Sequence, residues 1–298
     1  MTNFINIDDF TGEQLTGLID QAIADKQALK NGTLEPTLKG RTLAMYFEKP
    51  SLRTRVSFET GMTQLGGAAT YLTPNDIGLG TREPVRDVAR VLGRMCEAIM
   101  ARTFSHELVE ELGEWSPVPV INALTDYSHP CQAMADLMTV KEHFGDLAGR
   151  TVTFVGDGNN VARSLAVACS KLGMTFRVAT PVGYELTDCP VGDYTATTDA
   201  REAVADADVV YTDTWVSMGQ EEEKAKRVAE FKGFEVNADL MSAAPAGAIV
   251  LHCLPAYRGY EISDDVFEAH AESILTEAEN RQHLQRTLVN LLITRGRL

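Results

Sequence analysis

Short apolar runs that alternate with helical patterns constrain the fold of this chain most strongly. Thr42–Phe47 is the first clear run, and it is long enough for a buried strand but too short for a helix. Further runs cover 67–72, 98–102, 118–122, 151–155, 175–179, 209–212 and 248–252. Strands that alternate with helices predict parallel sheets covered by helices on both faces. We therefore predict an α/β fold.

The length of 298 residues predicts two domains rather than one. A long helical pattern over Pro130–Phe144 separates two series of strands. We predict two domains, each a parallel β-sheet flanked by helices. The predicted bounds are 1–133 for the first domain, 134–147 for an interdomain helix and 148–282 for the second domain. A C-terminal helix over 283–298 has no strand after it, so we expect it to pack back on the first domain.

The composition excludes several classes of protein. A hydrophobic content of 44% is enough for real cores, so we expect a soluble globular protein. No apolar run approaches a membrane span and the N-terminus lacks a signal-peptide pattern, so we expect a cytoplasmic location and no membrane partner. A net charge of -15 argues against nucleic-acid binding. Five cysteines without a CxxC pair indicate neither a disulfide framework nor a zinc knuckle.

The charged residues are unusual in kind as well as in number. Only 9 of the 27 basic residues are lysines, and 42 carboxylates oppose them. High salt screens the repulsion within such a surface. Two interpretations stay open, a protein of a very saline cytosol and an ordinary acidic bacterial or archaeal enzyme.

The segment after the first strand has the features of a phosphate site. Residues 51–55, SLRTR, stand at the start of a helical pattern in which Val56, Met62 and Leu65 are expected near one face. A helix start offers unpaired N–H donors and a partial positive charge, which favour an anion. Arginine can also grip phosphate in a bidentate fork. The alternative is a serine-capped helix with solvated arginines.

A second glycine-rich turn, GDGNNV at 156–161, follows a strand and opens a helix. A dinucleotide site would need a third glycine where this chain has Val161, and an acid at the end of the next strand, which here ends at Pro181. We therefore disfavour NAD binding. Asn160 either presents its amide to a polar group of a substrate or only caps the helix.

Polar residues at other loop-to-helix junctions and strand ends are further candidates. His129 can donate to an oxygen, and the Gln132 amide can accept from an NH₂ group. His252 and Cys253 end a strand, where ligands bind in parallel sheets, but they lack recognised metal-ligand spacing. Cys253 is a nucleophile only if a base activates it, and otherwise an inert thiol. Asp213 either pairs with an ammonium group or forms a turn.

Together these segments resemble the aspartate/ornithine carbamoyltransferase family, from Phe47-Glu48-Lys49 to Glu277-Ala278-Glu279-Asn280-Arg281. The segment 51–55 matches the family's carbamoyl phosphate motif, Ser-Thr-Arg-Thr-Arg, except for Leu52, where the family uses the backbone N–H. The segments 213–219 and 252–255 are typical of the members that act on ornithine, and they disfavour aspartate as the acceptor.

The resemblance implies a role for each candidate residue. The implied carbamoyl phosphate ligands are Ser51, Leu52, Arg53, Thr54, Arg102, His129, Gln132, Arg281 and the carbonyl of Leu254. Within this set, His129 would face the carbonyl oxygen and Gln132 the NH₂ group. The implied ornithine ligands are Asn160, Asp213, Ser217, Met218 and Cys253. The implied catalytic residues are Arg102, His129, Cys253 and Thr54, and no metal or organic cofactor is implied.

The implied reaction moves the carbamoyl group of carbamoyl phosphate to the δ-amine of L-ornithine, giving L-citrulline and phosphate in arginine metabolism. Closure of the two domains would exclude water. The alternatives are a carbamoyltransferase for putrescine or another amine, and a catalytically silent homologue. The resemblance also implies a homotrimer or a multiple of trimers, in which a loop side chain enters the neighbouring subunit's site. That position matches Gly78 here, and Arg82 is close enough in sequence to substitute.

Overall fold

The computed structural model of this chain describes residues 2–216, 219 and 221–298. The chain forms two compact units, one of Met1–Met138 with Asn280–Leu298 and one of Thr139–Glu279. Each unit contains one parallel sheet with helices around it, which confirms the predicted α/β class. Within the described part of the chain, no helix is both long enough and apolar enough to cross a membrane.

The first unit is built on a four-stranded parallel sheet. Its strands are β1 (Thr42–Phe47), β2 (Ala68–Leu72), β3 (Ala98–Arg102) and β4 (Val120–Leu124). Its helices are α1 (Gly12–Lys30), α2 (Leu52–Gln64), α3 (Pro74–Ile77), α4 (Val85–Leu92), α5 (His106–Trp115) and the first part of α6 (Pro130–Phe144). The strand order is β2-β1-β3-β4, so the order reverses between β1 and β3. Ligands of open parallel sheets bind beyond the carboxyl ends of the strands at such a reversal.

The second unit is built on a five-stranded parallel sheet. Its strands are β5 (Thr151–Val155), β6 (Thr175–Ala179), β7 (Tyr194–Thr197), β8 (Val209–Thr212) and β9 (Ile249–His252). Its helices are α7 (Asn160–Lys171), α8 (Ala200–Ala203), α9 (Lys224–Glu230), α10 (Ala238–Met241), α11 (Asp264–Ala269) and the first turns of α12 (Ala271–Arg295). The order β7-β6-β5-β8-β9 reverses between β5 and β8.

The C-terminal part of α12 packs on the first unit, as predicted. Leu284, Leu288, Leu291 and Leu292 are buried. Lys26 Nζ on α1 donates to Asn280 Oδ1 at 2.7 Å. Arg286 Nη1 donates to Gln64 Oε1 on α2 at 2.8 Å. Apolar burial and polar contacts together hold this helix against α1 and α2.

Two local predictions were wrong, and one strand was missed. The strand predicted at 118–122 begins instead at Val120, because Pro119 has no N–H to donate to a ladder. Val56 does not share the buried face of α2, since 48% of it is exposed while Met62 and Leu65 are buried. A six-residue step from Val56 to Met62 is not a whole number of helical turns. The strand β7 had no predicted counterpart, because it is a largely exposed edge without an apolar run.

Candidate active site

The start of α2 lies directly beyond the carboxyl end of β1. Ser51 is the N-cap, and its Oγ accepts from the backbone N–H of Thr54 at 3.3 Å. Leu52 is the first residue of the helix and is 76% exposed. Because its side chain contributes no packing, the backbone at this position can serve a ligand whatever the side chain is. The helix start predicted from SLRTR is confirmed.

Arg281 on α12 reaches the same helix start. Its Nη2 donates to Thr54 Oγ1 at 2.8 Å, and both residues are buried. The docking of α12 on α2 therefore brings residues distant in sequence into direct contact. A guanidinium beside the helix start adds positive charge where the helix dipole is also positive.

Arg102 ends β3 and is the register partner of Phe47 at the end of β1. The pairing of β3 with β4 shifts register between Ala101 and Arg102. Arg102 is buried, so its charge lies at the strand-order reversal rather than in bulk solvent. This is the position where parallel sheets bind ligands.

A tight turn after β4 presents His129. The backbone N–H of Thr125 donates to the carbonyl of Ser128 at 2.9 Å, and the N–H of Ser128 donates back to Thr125 Oγ1 at 3.1 Å. Asn122 Nδ2 donates to Ser128 Oγ at 2.9 Å. His129 lies between this turn and the first residue of α6, so the backbone on both sides of it is held in place.

The electrostatics of His129 define this region. Burial holds the pKa of its imidazole well below the usual range, and the charges of Arg281, Arg102 and Arg53 lower that pKa further. The imidazole is therefore neutral at pH 7 and carries one N–H donor. Three guanidiniums and a helix start near one neutral histidine favour an anion with several oxygens.

The first turn of α6 adds an amide and a thiol. Gln132 Nε2 donates to Asp136 Oδ1 at 2.7 Å, and both side chains are fully buried. Cys131 is also buried, which raises the pKa of its thiol to about 12 although Arg281 acts in the opposite direction. Cys131 is therefore an inert thiol, whereas Gln132 is a fixed hydrogen-bonding group.

Lys49 is a charged residue that sequence reasoning did not single out. It is buried, forms an ion pair with Asp126, and lies 4.2 Å from the ring centroid of Phe104. The position of Lys49 between β1 and the SLRTR segment was the sequence feature that could have identified it. By contacting Asp126 and Phe104, Lys49 stabilises the loops on either side of the candidate site.

In the second unit, Asp213 follows β8 and accepts three hydrogen bonds. The donors are Asn159 Nδ2 at 2.8 Å, Cys253 Sγ at 2.8 Å and the backbone N–H of Thr214 at 2.7 Å. The neighbouring strands β5, β8 and β9 bring these segments to one edge of the sheet. The carboxylate is buried and held in one orientation, as an ammonium-binding group requires.

The helix cap at α7 is Asn159 and not Asn160. Asn159 Oδ1 accepts from the N–H groups of Val161 at 2.9 Å and Ala162 at 3.1 Å, while its Nδ2 holds Asp213. The capping alternative considered for Asn160 is therefore wrong, and Asn160 is the first helical residue. Sequence patterns place a cap only to within a residue or two, and this chain has two adjacent asparagines.

Backbone atoms of residues 184–186 occupy the space beside the GDGNNV turn. A Cβ at Gly158 would lie 2.4 Å from the backbone nitrogen of Leu186 and 2.6 Å from the carbonyl carbon of Glu185. The N–H of Gly158 donates to the carbonyl of Tyr184 at 2.9 Å. Gly158 thus permits a close approach of protein backbone, a structural role that supports our rejection of a dinucleotide site.

Beyond β9 lie His252, Cys253 and Leu254. His252 Nδ1 accepts from the N–H of Leu254 at 2.9 Å, and Nε2 lies 3.1 Å from Glu261 Oε1. Ligand atoms of Asp213, His252 and Cys253 lie within 4.8 Å of one another, close enough for a metal ion. Both ring nitrogens of His252 are already engaged, however, so this donor set fits a metal poorly. Cys253 Sγ donates to Asp213 Oδ1 at 2.8 Å, so the thiol is already engaged by the carboxylate.

A buried ion pair supports the segment after Asp213. Arg227 Nη1 donates to Asp157 Oδ2 at 2.8 Å and to the carbonyl of Trp215 at 3.0 Å. Burial raises the pKa of Asp157, although Arg227 acts to lower it. Sequence reasoning missed this pair because the two residues are far apart in the chain. Of the predicted ornithine ligands, Ser217 and Met218 lie outside the described residues.

The glycine-rich loop leaves little room for a side chain at position 78. Gly78 caps α3 with φ +66°, and a Cβ there would lie 2.7 Å from Arg82 Cβ. Arg82 Nη2 donates to the carbonyl of Asp76 at 3.0 Å. Arg82 thus contacts its own loop, and the expectation that it substitutes for a side chain at position 78 stays a prediction.

Comparison with known proteins identifies the class. The carbamoyl-P binding domain of the aspartate/ornithine carbamoyltransferases matches residues 2–142, and their Asp/Orn binding domain matches residues 148–292. These matches span most of the chain. The chain belongs to the aspartate/ornithine carbamoyltransferase family.

Individual relatives narrow the comparison within that family. The ornithine carbamoyltransferase of Nitratiruptor sp. is 50% identical, with 97% of each chain covered. The chloroplastic ornithine carbamoyltransferase of Pisum sativum is 47% identical, with 97% of this chain and 80% of that protein covered. The solved structure of ornithine carbamoyltransferase from Pyrococcus furiosus aligns with a TM-score of 0.91 at 44% identity, covering 99% of this chain and 97% of that one.

Proposed function

We propose that this chain transfers the carbamoyl group of carbamoyl phosphate to the δ-amine of L-ornithine, giving L-citrulline and phosphate. The observation that carries the proposal is the set of three guanidiniums, from Arg53, Arg102 and Arg281, that act on the neutral His129. The relatives described above, which match along nearly their whole length, are ornithine carbamoyltransferases.

The first unit would bind carbamoyl phosphate. Its phosphate group would accept from the start of α2, through Ser51, Leu52, Arg53 and Thr54, and from Arg102 and Arg281. Phosphate oxygens match arginine forks and helix-start N–H groups. The expectation that the Leu254 carbonyl contributes stays a prediction from the family resemblance.

The neutral state of His129 suits it to the carbonyl oxygen. When the amine attacks the carbonyl carbon, negative charge develops on that oxygen, and fixed donors stabilise it without reorganisation. Together with His129, Arg102 and Thr54 would supply these donors. The neutral δ-amine forms the new C–N bond, the C–O bond to phosphate breaks, and the departing phosphate takes the proton that the amine loses, so that it is released as HPO₄²⁻.

The second unit would bind ornithine. Asp213 is held in place by Asn159, Cys253 and its own neighbour Thr214, so it can pair with the α-ammonium group. Asn160, Ser217 and Met218 stay predicted contacts of ornithine. Because the Cys253 thiol is a donor to a carboxylate, we assign it contact with the side-chain nitrogen of ornithine and no covalent step.

The finer expectations from the sequence belong to this proposal as well. We propose an assembly of trimers, a role for the loop at Gly78 and Arg82 in the neighbouring subunit, and domain bounds at 1–133 and 148–282. A cytoplasmic location and adaptation to a saline cytosol are further expectations. Each rests on family resemblance or composition.

Product stoichiometry tests the proposal. Purified protein incubated with carbamoyl phosphate and ornithine should release citrulline and phosphate in equal amounts. A reaction without ornithine measures spontaneous decay of carbamoyl phosphate and serves as the control. Phosphate release without citrulline, or no release above the control, would contradict the proposed transfer.

A further inference from the structure

A buried carboxylate lies one turn after Gln132 on α6. Asp136 Oδ1 accepts from Gln132 Nε2 at 2.7 Å, and both residues are completely excluded from solvent. Gln132 is the residue expected at the NH₂ of the carbamoyl group. Asp136 was not among the residues suggested by the family motifs.

The chemistry of this pair determines which way the amide points. The two ends of a glutamine amide have nearly the same shape, but one donates and the other accepts. In the structure the NH₂ end faces the carboxylate, with Gln132 Nε2 donating to Asp136 Oδ1. A flipped amide would lose this buried hydrogen bond and bring its oxygen against Asp136 Oδ1, which is unfavourable. The oxygen of the Gln132 amide is therefore held on the side away from Asp136.

We infer that Asp136 is a positioning residue that sets the Gln132 amide to accept from an NH₂ group. It thereby makes the site select carbamoyl phosphate over acyl phosphates that lack this group. The inference rests on the proposed function, because it takes Gln132 to face the carbamoyl NH₂. A site built to bond an N–H discriminates against analogues without it.

A second glutamine–aspartate pair in this chain has the same spacing but no proposed role in ligand selection. On α1, Gln21 Nε2 donates to Asp25 Oδ1 at 2.8 Å with the same four-residue spacing. This second pair is only partly buried and is not among the candidate site residues. If such pairs served only to stabilise their helices, changing either aspartate would leave ligand selection intact.

The test measures dissociation constants of carbamoyl phosphate and of acetyl phosphate, in which a methyl group replaces the NH₂. We expect Asp136→Ala to lower the preference for carbamoyl phosphate by about tenfold, because the Gln132 amide loses the acceptor that fixes its orientation. The affinity for acetyl phosphate should stay within about twofold of wild type. Asp136→Leu, which fills more of the space without offering an acceptor, should behave alike if the alanine variant does not fold. Asp25→Asn should keep the wild-type preference.

Gln132→Ala shows how much of the preference for carbamoyl phosphate depends on the Gln132 amide itself. In that background Asp136→Ala should change the preference no further. The inference is overturned if Gln132→Ala loses the preference while the Asp136 variants keep it. Equal weakening of both ligands in the Asp136 variants also overturns it, since that pattern indicates a structural role. A wild-type protein without any preference also overturns the inference, whereas the proposed function fails separately if no citrulline forms from carbamoyl phosphate and ornithine.

Discussion

In the first unit, most of the proposed chemistry is assigned to three arginines that surround His129. Arg53, Arg102 and Arg281 all act on His129, and Arg281 also contacts Thr54 at the start of α2. Mutual repulsion among these guanidiniums is offset when a phosphate binds between them. Their removal should therefore affect ligand binding more than folding.

Arg53→Ala and Arg102→Ala should each weaken the use of carbamoyl phosphate. Truncating one side of a buried charge pair costs roughly 2–5 kcal/mol, and we expect that loss in kcat/KM for carbamoyl phosphate. Arg94→Ala, at an arginine outside the candidate site, is the control. Near-normal kinetics in either site variant would remove that arginine from the phosphate site.

His129 should make stability depend on pH. Its folded-state pKa lies below the ordinary value, so near pH 6.5 and below the unfolded state binds more protons than the folded state. Its contribution is therefore fully present above about pH 6.5 and is lost as the pH falls below that value. The free energy of unfolding, measured by urea denaturation from about pH 8 to pH 5.5, should fall more for wild type than for His129→Asn. Parallel curves for the two proteins would contradict the buried, neutral imidazole.

At the scale of elements, alternating apolar runs predicted most of the sheet. Eight of the nine strands in the described part of the chain were predicted to within two residues, because most of these apolar runs are buried on both faces. The edge strand β7 gave no such signal. Motifs also located Arg102 and Asp213 at strand ends and His129 directly before a helix. The partners Asp136, Asn159 and Lys49 were not predicted, because hydrogen-bonding partners depend on side-chain direction within the folded unit.

The turn between β5 and α7 should be sensitive to a single methyl group. Gly158→Ala would place Cβ 2.4 Å from the backbone nitrogen of Leu186, so the loop at 184–186 must move. We expect the free energy of unfolding to fall by roughly 1–3 kcal/mol, as for overpacking elsewhere. Gly192→Ala, with nothing within 4 Å of the added Cβ, is the matched control. Equal stability of the two variants in chemical denaturation would show that the turn is not constrained as described.

At the scale of the whole molecule, the surplus of acidic residues should make the protein respond to salt. Repulsion among 42 carboxylates, opposed by only 27 basic groups, is relieved by screening. We expect activity and melting temperature to rise from dilute buffer to about 1 M KCl. Equimolar changes in sucrose separate screening from a general solute effect. If stability and activity are greatest in dilute buffer, adaptation to a saline cytosol is contradicted, whereas the proposed reaction is not affected.

Apart from the Leu254 carbonyl, the candidate ligands of carbamoyl phosphate belong to the first unit and those of ornithine to the second, so the donor and acceptor substrates can be tested separately. Arginines of the first unit are assigned to carbamoyl phosphate, whereas Asp213 of the second unit is assigned to the α-ammonium of ornithine. Putrescine lacks that ammonium together with the α-carboxylate. Acceptor specificity therefore tests the account at the level of the whole enzyme.

The most direct measurement is kcat/KM for ornithine and for putrescine in wild type and in Asp213→Asn. We predict that wild type prefers ornithine by a wide margin, because buried groups that bind a polar substrate are left unpaired by analogues without it. Asp213→Asn should lose most of its activity with ornithine while binding carbamoyl phosphate as wild type does. Better turnover of putrescine than of ornithine by wild type, or unchanged ornithine kinetics in Asp213→Asn, would contradict the proposed acceptor site.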